Sequence, residues 1–437
     1  MDKSAGLSRP IAGSRGGVVP LVGCPLWRAK RYPLRRPCLE TTISTPKGDR
    51  AIKAASAHAS DRPGIVVYHD YFAIRGGGER LVLELARGLS AALVYGYRTA
   101  ETYSEADLPE NCRDLALPAV LRRPGLRPLA LALAFRRRRQ AAVHVPVRIF
   151  SGVAALFAAP PKAAGARNIF YCHTPPRFLF DQRDHFVGGL PIALKPFASL
   201  LLWLYGRAYR RAVDRMDVIV TNSENTRRRI ARFLGRDSTV VYPPIDTSRF
   251  RFIADGGYFL STARLSPLKR VDMIVRAFRK MPDRKLIVVS GGGEYESLVR
   301  LAGGAANIEF RGWVGEDELT DLVGNATATI YLPIDEDFGM SPVESMAAGK
   351  PVIGVSEGGL LETILPDETG ILLPKDVTEN DIIAATELLT PERAAAMRRA
   401  CERRASEFSS DRFLKEMRRL AFDYQANEKS EASRDSV

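Results

Sequence analysis

The chain has 437 residues, of which 46% are hydrophobic and 26% are charged. This balance suits a folded globular protein, and the length favours two domains over one. The formal net charge of +14 predicts a surface that attracts anions such as nucleotides, nucleic acid or an acidic membrane face. The five cysteines form no C-x-x-C pair, which argues against a disulfide framework or a zinc site and fits a reducing compartment.

Residues 1–62 differ from the rest of the chain. They are rich in Arg, Pro, Gly and Ser and lack a sustained apolar period, so we expect a disordered extension. A transit peptide and an over-extended start of the chain are alternatives for this segment. Elsewhere no run of about 18 uninterrupted apolar residues occurs, so we expect no membrane-spanning helix.

From Ile65 short apolar runs alternate with helical patterns. The loop Gly76–Gly78 separates the first such run from the helical spacing of Glu79–Ala86. Continuous apolar runs between helices are typical of a parallel sheet covered on both faces, and we predict a first Rossmann-like domain over residues 63–245. Its predicted strands are Ile65–Tyr68, Ala92–Tyr95, Val147–Phe150, Ile169–Cys172, Val218–Val220 and Thr239–Tyr242.

The segment Tyr242–Asp246 contains two prolines and is the predicted hinge. A second alternating series follows, which predicts a second Rossmann-like domain over residues 246–410. We expect a C-terminal helix and polar tail over residues 411–437, with the helix able to cross back to the first domain. The strands predicted in the second domain are Tyr258–Ser261, Leu286–Val289, Ile308–Phe310, Ala328–Tyr331 and Val352–Val355. The fold class is α/β, with two doubly wound parallel-sheet domains facing across a cleft and ligands at the carboxyl ends of the strands.

The segment Glu336–Gly349 follows a predicted strand and opens a predicted helix. Pro342 suits the first helical position, with Ser341 as the N-cap. The amides of Gly339, Met340 and Ser341 would then form a helix terminus that attracts phosphate or a sugar hydroxyl. The carboxylates of Glu336 and Glu344 suit vicinal hydroxyls, although Ser341-x-x-Glu344 also has the spacing of a structural capping box.

Basic and glycine-rich loops follow other strands of the second domain. Arg264 and Lys269 come after the strand Tyr258–Ser261, where they can clamp a diphosphate. Gly291–Gly293 follows the next strand, as a loop needing close backbone approach would. Taken alone, each of these features is also compatible with an ordinary solvated loop.

Together these residues form an ordered set of motifs. Glu336 and Glu344 have the E-x7-E spacing, with Arg264 and Lys269 upstream. The remaining members of the set are Gly358-Gly359 with Glu362, Gly76-Gly-Gly-Glu79, Cys172-His-Thr-Pro-Pro176, Asn222-Ser223 and Tyr242-Pro-Pro-Ile-Asp246. Over residues 65 to about 420 the chain resembles a family-4 glycosyltransferase.

The resemblance implies a GT-B fold, a nucleotide-sugar donor and retention of the anomeric configuration. It implies that Glu344 binds the donor ribose, that Glu336 binds the sugar hydroxyls and that Arg264 and Lys269 hold the diphosphate. His173 would lie beside the transferred sugar as a hydrogen-bond donor, so His173 and Glu336 are the expected catalytic residues. The other expected substrate-binding residues are Gly76, Gly77 and Gly78 near the diphosphate or acceptor, Gly339, Met340 and Ser341 near the phosphates and sugar, and Trp313 and Val314 near the base.

The resemblance also implies same-face attack, with the donor phosphate assisting deprotonation of the acceptor. Asp335-Glu-Asp337 has carboxylates that suit Mg²⁺ or Mn²⁺. Because GT-B enzymes neutralise the leaving group with basic groups and amides, we expect no metal and no other cofactor.

The sequence indicates less about the acceptor than about the donor site. The version His-Thr-Pro-Pro-Arg177 resembles mannosyltransferases of surface-polysaccharide assembly, which favours GDP-mannose over a UDP-sugar. Leu121–Arg139 and Leu190–Arg211 combine apolar and basic residues, so each is either a core-packed helix or a peripheral helix on anionic lipid. We therefore expect a glycan or polyprenyl-linked acceptor and a cytoplasmic enzyme at the inner face of the plasma membrane.

Two other classes of function compete with this reading. The net charge is compatible with a basic nucleic-acid-binding protein, but much of the basic excess lies in the N-terminal extension and no nucleic-acid motif occurs. A non-transferase enzyme of the same fold, such as an epimerase or phosphorylase, is the other alternative.

Overall fold

The computed structural model describes residues 64–99 and 102–434, with the side chains of 184–185 and 423–434 left aside. The expected disordered extension over residues 1–62 lies outside this range. Two parallel sheets, each flanked by helices, make up the described chain. Within this range no helix combines the length and the apolar character needed to cross a membrane.

The first domain is built on a seven-stranded parallel sheet with the order β3-β2-β1-β4-β5-β6-β7. Its strands are β1 Ile65–His69, β2 Ala92–Tyr95, β3 Cys112–Asp114, β4 Val147–Ser151, β5 Arg167–Cys172, β6 Val218–Thr221 and β7 Thr239–Val240. Its helices are α1 Gly77–Gly88, α2 Arg127–Arg136, α3 Arg139–Ala142, α4 Arg183–Gly188, α5 Lys195–Val213 and α6 Glu224–Leu234. Short 3-10 turns lie at Glu105–Asp107, Ala119–Arg122, Ala155–Ala158 and Ile192–Leu194.

The second domain is built on a six-stranded parallel sheet with the order β10-β9-β8-β11-β12-β13. Its strands are β8 Tyr258–Ser261, β9 Lys285–Val289, β10 Ile308–Gly312, β11 Ala328–Tyr331, β12 Val352–Val355 and β13 Gly370–Leu373. Its helices are α7 Val271–Arg279, α8 Tyr295–Ala302, α9 Glu316–Asn325, α10 Met340–Ala347, α11 Leu360–Thr363, α12 Glu379–Leu388 and α13 Pro391–Ser406, and a 3-10 turn lies at Pro267–Lys269.

The strands that carry apolar runs are the buried ones. Every residue of β1, β8, β11 and β12 is buried. A parallel strand with helices on both faces needs apolar side chains in both directions, which explains why these strands read as continuous apolar runs. The expected α/β architecture of two doubly wound sheets is confirmed.

The last helix, α14 Ser410–Arg434, returns to the first domain. Met417 and Ala421 are buried in the same cluster as Leu81 and Leu85 of α1. The Arg418 guanidinium donates to the carbonyl oxygen of Gly88 at 2.6 Å. The C-terminal helix therefore completes the core on one face of the first sheet.

The register of the first sheet brings three strand ends together. His69 at the end of β1 pairs with Ser151 at the end of β4, and Ser151 pairs with Tyr171 of β5. His173 follows β5 directly. Since the carboxyl ends of adjacent parallel strands share one edge, these polar residues meet at the edge that faces the second domain.

Candidate functional site

A cleft of about 310 Å³ lies between the carboxyl edges of the two sheets. Both domains contribute to its wall. The first domain supplies Gly77, Gly78, Leu81, His173, Asn222 and Pro243, and the second supplies Tyr331 and Glu336–Ser341. Seven of the residues predicted from the sequence therefore line one cavity, namely Gly77, Gly78, His173, Glu336, Gly339, Met340 and Ser341.

Helix α10 enters this cleft with its N-terminus. The helix begins at Met340, and Gly339 is its N-cap with φ of 93°. The prediction that Ser341 caps a helix starting at Pro342 was wrong, because a left-handed glycine turns the chain into the helix two residues earlier. Ser341 thus lies in the first turn, and no side chain among the described residues caps this terminus. The first amides of α10 remain without helical partners at the cleft wall.

Glu344 has a partner other than the predicted capping box. Its Oε1 accepts a hydrogen bond from Nη1 of Arg80 on α1 at 3.0 Å. The Glu344 side chain is only 15% exposed, so the pair is partly shielded from solvent. This salt bridge joins the two domains across the cleft.

Glu336 and Lys269 are in direct contact. The Lys269 ammonium lies 2.5 Å from Oε2 of Glu336 and donates to the Tyr331 hydroxyl at 2.8 Å. Burial, together with the negative charge of Glu336, raises the pKa of Tyr331 well above its ordinary value. Tyr331 is therefore a neutral phenol, and the cluster presents one cation and one carboxylate at the cleft.

The glycine-rich loop approaches the second domain closely. A Cβ on Gly77 would lie 2.2 Å from Sδ of Met340, and one on Gly78 would contact the His173 ring at 3.6 Å. Gly76 is the N-cap of α1. A side chain at Gly77 would require the Met340 side chain to move, so glycine leaves room for the loop to approach α10 closely.

Glu79 and Arg264 lie next to this loop. Burial raises the pKa of the Glu79 carboxyl to about 7, and the Arg264 charge partly opposes the rise. Arg264 itself is exposed, on the loop after β8. The cleft mouth thus holds an exposed guanidinium beside a carboxyl that titrates near neutral pH.

His173 is held by two hydrogen bonds. Its Nε2 lies 2.8 Å from Oγ of Ser151, and its carbonyl oxygen accepts from Nδ2 of Asn222 at 2.9 Å. Burial lowers the pKa of His173 to about 4, so the imidazole is neutral at pH 7. A neutral imidazole in the cleft wall can offer one hydrogen-bonding nitrogen to a ligand.

The loop before Glu336 is tied to the first domain by arginines. Asp335 Oδ2 accepts from Arg177 at 3.0 Å and from Arg229 at 2.7 Å. Arg229 also binds Asp181 at 2.7 Å. Burial raises the pKa of Asp337 to about 6, against the pull of the same two arginines. The Asp335-Glu-Asp337 carboxylates therefore already have cationic neighbours.

A second tie between the domains lies at the start of α6. The Glu362 carboxylate accepts from the backbone N–H groups of Glu224 at 2.7 Å and Asn225 at 2.8 Å. The Ser223 side chain caps the same helix by accepting from the amide of Thr226. An anion at a helix N-terminus is stabilising, so Glu362 links α11 to the first domain.

Trp313 and Val314 lie apart from the cavity wall. Trp313 is 75% exposed and stands against Gly291 in the loop after β9. Val314 packs against the buried cluster that contains Phe250 and Tyr258. Gly76, Arg264, Lys269 and Glu344 surround the cavity without lining it.

Several residues of the site were missed in the sequence. Arg80 directly follows the glycine-rich motif, and that position was the available signal. Tyr331 is the last residue of a predicted strand, so its place at the carboxyl edge was also accessible. Ser151 and His69 each lie one residue beyond a predicted strand, and only the strand order brings them to His173.

Comparisons with known proteins agree with this geometry. Residues 75–249 match the family model described as Glycosyltransferase Family 4, and residues 246–408 match the one described as Glycosyl transferases group 1. The chain is 30% identical over 376 residues to a GDP-mannose-dependent alpha-(1-6)-phosphatidylinositol monomannoside mannosyltransferase of Mycolicibacterium smegmatis, covering 76% of this chain and 91% of that protein.

Solved structures share the fold at low sequence identity. A sucrose-phosphate synthase from Thermosynechococcus elongatus superposes with a TM-score of 0.66 at 16% identity, over 83% of this chain and 99% of that one. HepE of Anabaena, in complex with UDP and glucose, gives 0.63 at 17% identity, over 81% and 98% of the two chains. With the paired sheets, the shared cleft and these matches taken together, the chain belongs to the family-4 glycosyltransferases of GT-B fold.

Proposed function

We propose that this glycosyltransferase moves mannose from GDP-mannose, with retention of configuration, to a lipid-linked or glycan acceptor in the assembly of a surface polysaccharide or glycolipid. The observation that carries the proposal is the cleft itself. It combines the α10 N-terminus, the Lys269–Glu336 pair and His173 in one cavity wall and its immediate surroundings. These groups suit the phosphates and the sugar of a nucleotide sugar.

At the donor end each group has a distinct role. Glu344 would accept hydrogen bonds from the ribose hydroxyls, and Glu336 from hydroxyls of the transferred sugar. Donor binding therefore requires Glu344 to exchange or share its bond with Arg80. Arg264 and Lys269, with the amides of α10, would hold the diphosphate. Trp313, exposed beside Gly291, is the surface offered to the base.

The chemistry needs stabilisation of the leaving diphosphate and of a sugar with oxocarbenium character. Lys269, Arg264 and the α10 terminus supply fixed positive charge where negative charge develops, which is electrostatic catalysis. The acceptor hydroxyl would attack from the face that the diphosphate leaves, and a donor phosphate oxygen would take its proton. His173, neutral at pH 7, would donate a hydrogen bond to the sugar.

No metal is needed in this scheme. The carboxylate of Asp335 already binds Arg177 and Arg229, and Asp337 lies 3.9 Å from both guanidinium groups. The two arginines therefore already provide positive charge beside the carboxylates of this loop. The positive charge that a divalent ion would give to the leaving group is available from Lys269 and Arg264.

The donor is inferred from two observations. The chain carries the sequence His-Thr-Pro-Pro-Arg177 at the cleft, and its relatives at about 30% identity are named as GDP-mannose-dependent. A UDP-sugar is the second candidate, since the HepE structure of the same fold holds UDP and glucose. A thermal-shift comparison separates them, because a ligand that binds only the folded state raises its melting temperature. GDP is expected to give the largest shift, and a shift with UDP but not with GDP would reject mannose from GDP-mannose.

An exposed apolar surface on the first domain supports a lipid-linked acceptor. It comprises the turn and helix over residues 190–204, and we call it the α5 patch. Its large exposed side chains are Ile192 (84% exposed), Leu194, Phe197, Leu200, Trp203 and Leu204. Arg207, Arg210 and Arg211 follow on the same helix and are exposed. Apolar side chains beside a cluster of arginines suit the interface of an anionic membrane.

The other candidate segment behaves differently. In the segment Leu121–Arg139, Leu131 and Phe135 are buried in the core, and Leu126 and Leu133 are the large apolar residues that are exposed. The membrane proposal therefore rests on the α5 patch alone.

Sedimentation with vesicles tests this surface. The protein is expected to pellet with vesicles rich in phosphatidylglycerol and to be released by salt, since each arginine contributes about 1 kcal/mol near such a surface. The double variant Ile192→Ser/Phe197→Ser should bind at least about tenfold more weakly, because burying each apolar side chain contributes roughly 1.5–3 kcal/mol. Leu388→Ser, at a 56% exposed position on α12, is the matched control. Equal binding of the wild type to neutral vesicles would argue against the proposal.

A further inference from the structure

Three polar side chains form a hydrogen-bonded series beneath the cleft. Nδ1 of His69 lies 3.3 Å from Oγ of Ser151, and the same Oγ lies 2.8 Å from Nε2 of His173. Ser151 is fully buried and His69 is 6% exposed, so neither has free access to water. The three residues end or follow β1, β4 and β5, which are neighbours in the sheet. The sheet register therefore fixes their spacing.

The direction of these hydrogen bonds decides whether His173 presents a donor or an acceptor to a ligand. A serine hydroxyl donates one hydrogen bond, so Ser151 can donate to only one of the two imidazoles. If it donates to His173, then Nε2 of His173 is the bare nitrogen and Nδ1 carries the proton. If it donates to His69, then His173 must donate from Nε2, and its Nδ1 becomes an acceptor.

The surroundings of Nε2 of His69 favour donation from Ser151 to His173. Nε2 of His69 is buried and has no hydrogen-bond partner among the residues that the structure describes. A buried N–H without a partner is rarer in folded proteins than an under-used acceptor. The proton of His69 therefore belongs on Nδ1, where the Ser151 oxygen accepts it.

We propose that His69 and Ser151 are positioning residues that hold neutral His173 as its Nδ1–H tautomer, so that His173 presents an N–H donor to the cleft. The hydrogen bonds run from His69 Nδ1–H to Ser151 Oγ and from Ser151 Oγ–H to His173 Nε2. The inference deepens the proposed role of His173 as a donor to the transferred sugar and rests on that function for its purpose. Its geometry does not depend on which sugar is moved.

Nitrogen-15 NMR of histidine-labelled protein tests the tautomer without any substrate. The chain has five histidines, and a His173→Asn variant assigns the relevant signal. We expect the proton on Nδ1 of His173 in the wild type and its movement to Nε2, at least in part, in Ser151→Ala. Ser238→Ala, a buried serine whose hydroxyl lacks a partner in the described structure, is the matched control and should leave the signal unchanged. A proton on Nε2 of His173 in the wild type would overturn the proposal.

A second pair of variants tests His69 and guards against a misfolded Ser151→Ala. His69→Asn can keep an N–H near the Nδ1 position and should retain the tautomer, whereas His69→Leu removes the donor that orients the Ser151 hydroxyl and should move part of the His173 proton to Nε2. In transfer assays the variants that lose the tautomer should show kcat lowered about tenfold with KM changed less than about twofold, the size expected for one hydrogen bond made in the transition state. An altered tautomer with unchanged kcat would refute the positioning role. Failure of GDP-mannose as donor, with the Nδ1–H tautomer present, would reject the proposed donor and leave the hydrogen-bond chain intact.

Discussion

Replacing Glu344 by Gln isolates the ribose contact proposed for the cleft. The substitution removes the negative charge and keeps the shape, so helix α10 should remain intact. Because Glu344 bonds to Arg80 and caps no helix end, the variant loses no helix cap. Arg80 is 38% exposed and can be solvated when its partner is neutral, so the melting temperature should change little.

The expected loss in nucleotide affinity follows from the bonds that Glu344 would make. A hydrogen bond to a charged group contributes roughly 1.5–3 kcal/mol, and release of the partly shielded Arg80 pair offsets about 1 kcal/mol of this. GDP should therefore bind about tenfold or more weakly to Glu344→Gln in calorimetric titrations.

The choice of ligand makes this test specific. The loss should appear with guanosine as well as with GDP, since both contain the ribose, whereas Lys269→Ala should weaken GDP and leave guanosine unaffected. Glu402→Gln is the matched control, because Glu402 forms an exposed ion pair with Arg398 on α13. Equal affinity of Glu344→Gln and wild type for GDP would refute the assignment.

Three further predictions concern the domain contact, the partly buried Glu79 and the metal. Glu362→Ala removes the carboxylate that binds the first amides of α6 and should lower the free energy of unfolding by about 1–3 kcal/mol in thermal or urea denaturation, with Glu402→Ala unaffected; an unchanged stability would contradict the interdomain role. The pKa of Glu79 is raised by burial from its ordinary 4.5 to about 7, so between these values the folded state binds the proton more tightly and the protein loses stability as the pH rises. Glu79→Gln should therefore match the wild type near pH 4.5 and exceed its stability above pH 7 by up to roughly 3 kcal/mol, and parallel pH profiles would count against this reading. Full transfer activity is expected in excess EDTA, and activity restored only by added Mn²⁺ or Mg²⁺ would contradict the assignment of charge neutralisation to Lys269 and Arg264.

Most strands of the two sheets could be predicted from the sequence as short apolar runs. Ala92–Tyr95, Tyr258–Ser261, Ala328–Tyr331 and Val352–Val355 have the predicted limits. The missed strands lie at sheet edges. The three residues of β3 are all exposed and two of them are charged, so β3 lacks the apolar run of a central strand. The short apolar run Ile371–Leu373 of β13 was overlooked.

The part of the candidate site that could be predicted is the set of loops that directly follow predicted strands. Loops that follow parallel strands lie at one sheet edge, which is why Lys269 and Glu336 could be placed together. The start of α10 depends on the left-handed conformation of Gly339, and sequence spacing favoured Ser341 instead. The bond between Arg80 and Glu344 joins residues 264 positions apart, and it exists only because the two domains meet.

Calorimetric titration with GDP-mannose tests the central claim most directly, namely that the cleft between the sheets is a nucleotide-sugar donor site. We predict one site per chain, with affinity strongly reduced in Lys269→Ala and unchanged in Lys280→Ala, whose side chain pairs with Glu379 away from the cleft. Absence of binding by GDP-mannose and by every other nucleotide sugar, or binding that Lys269→Ala leaves undiminished, would contradict the account.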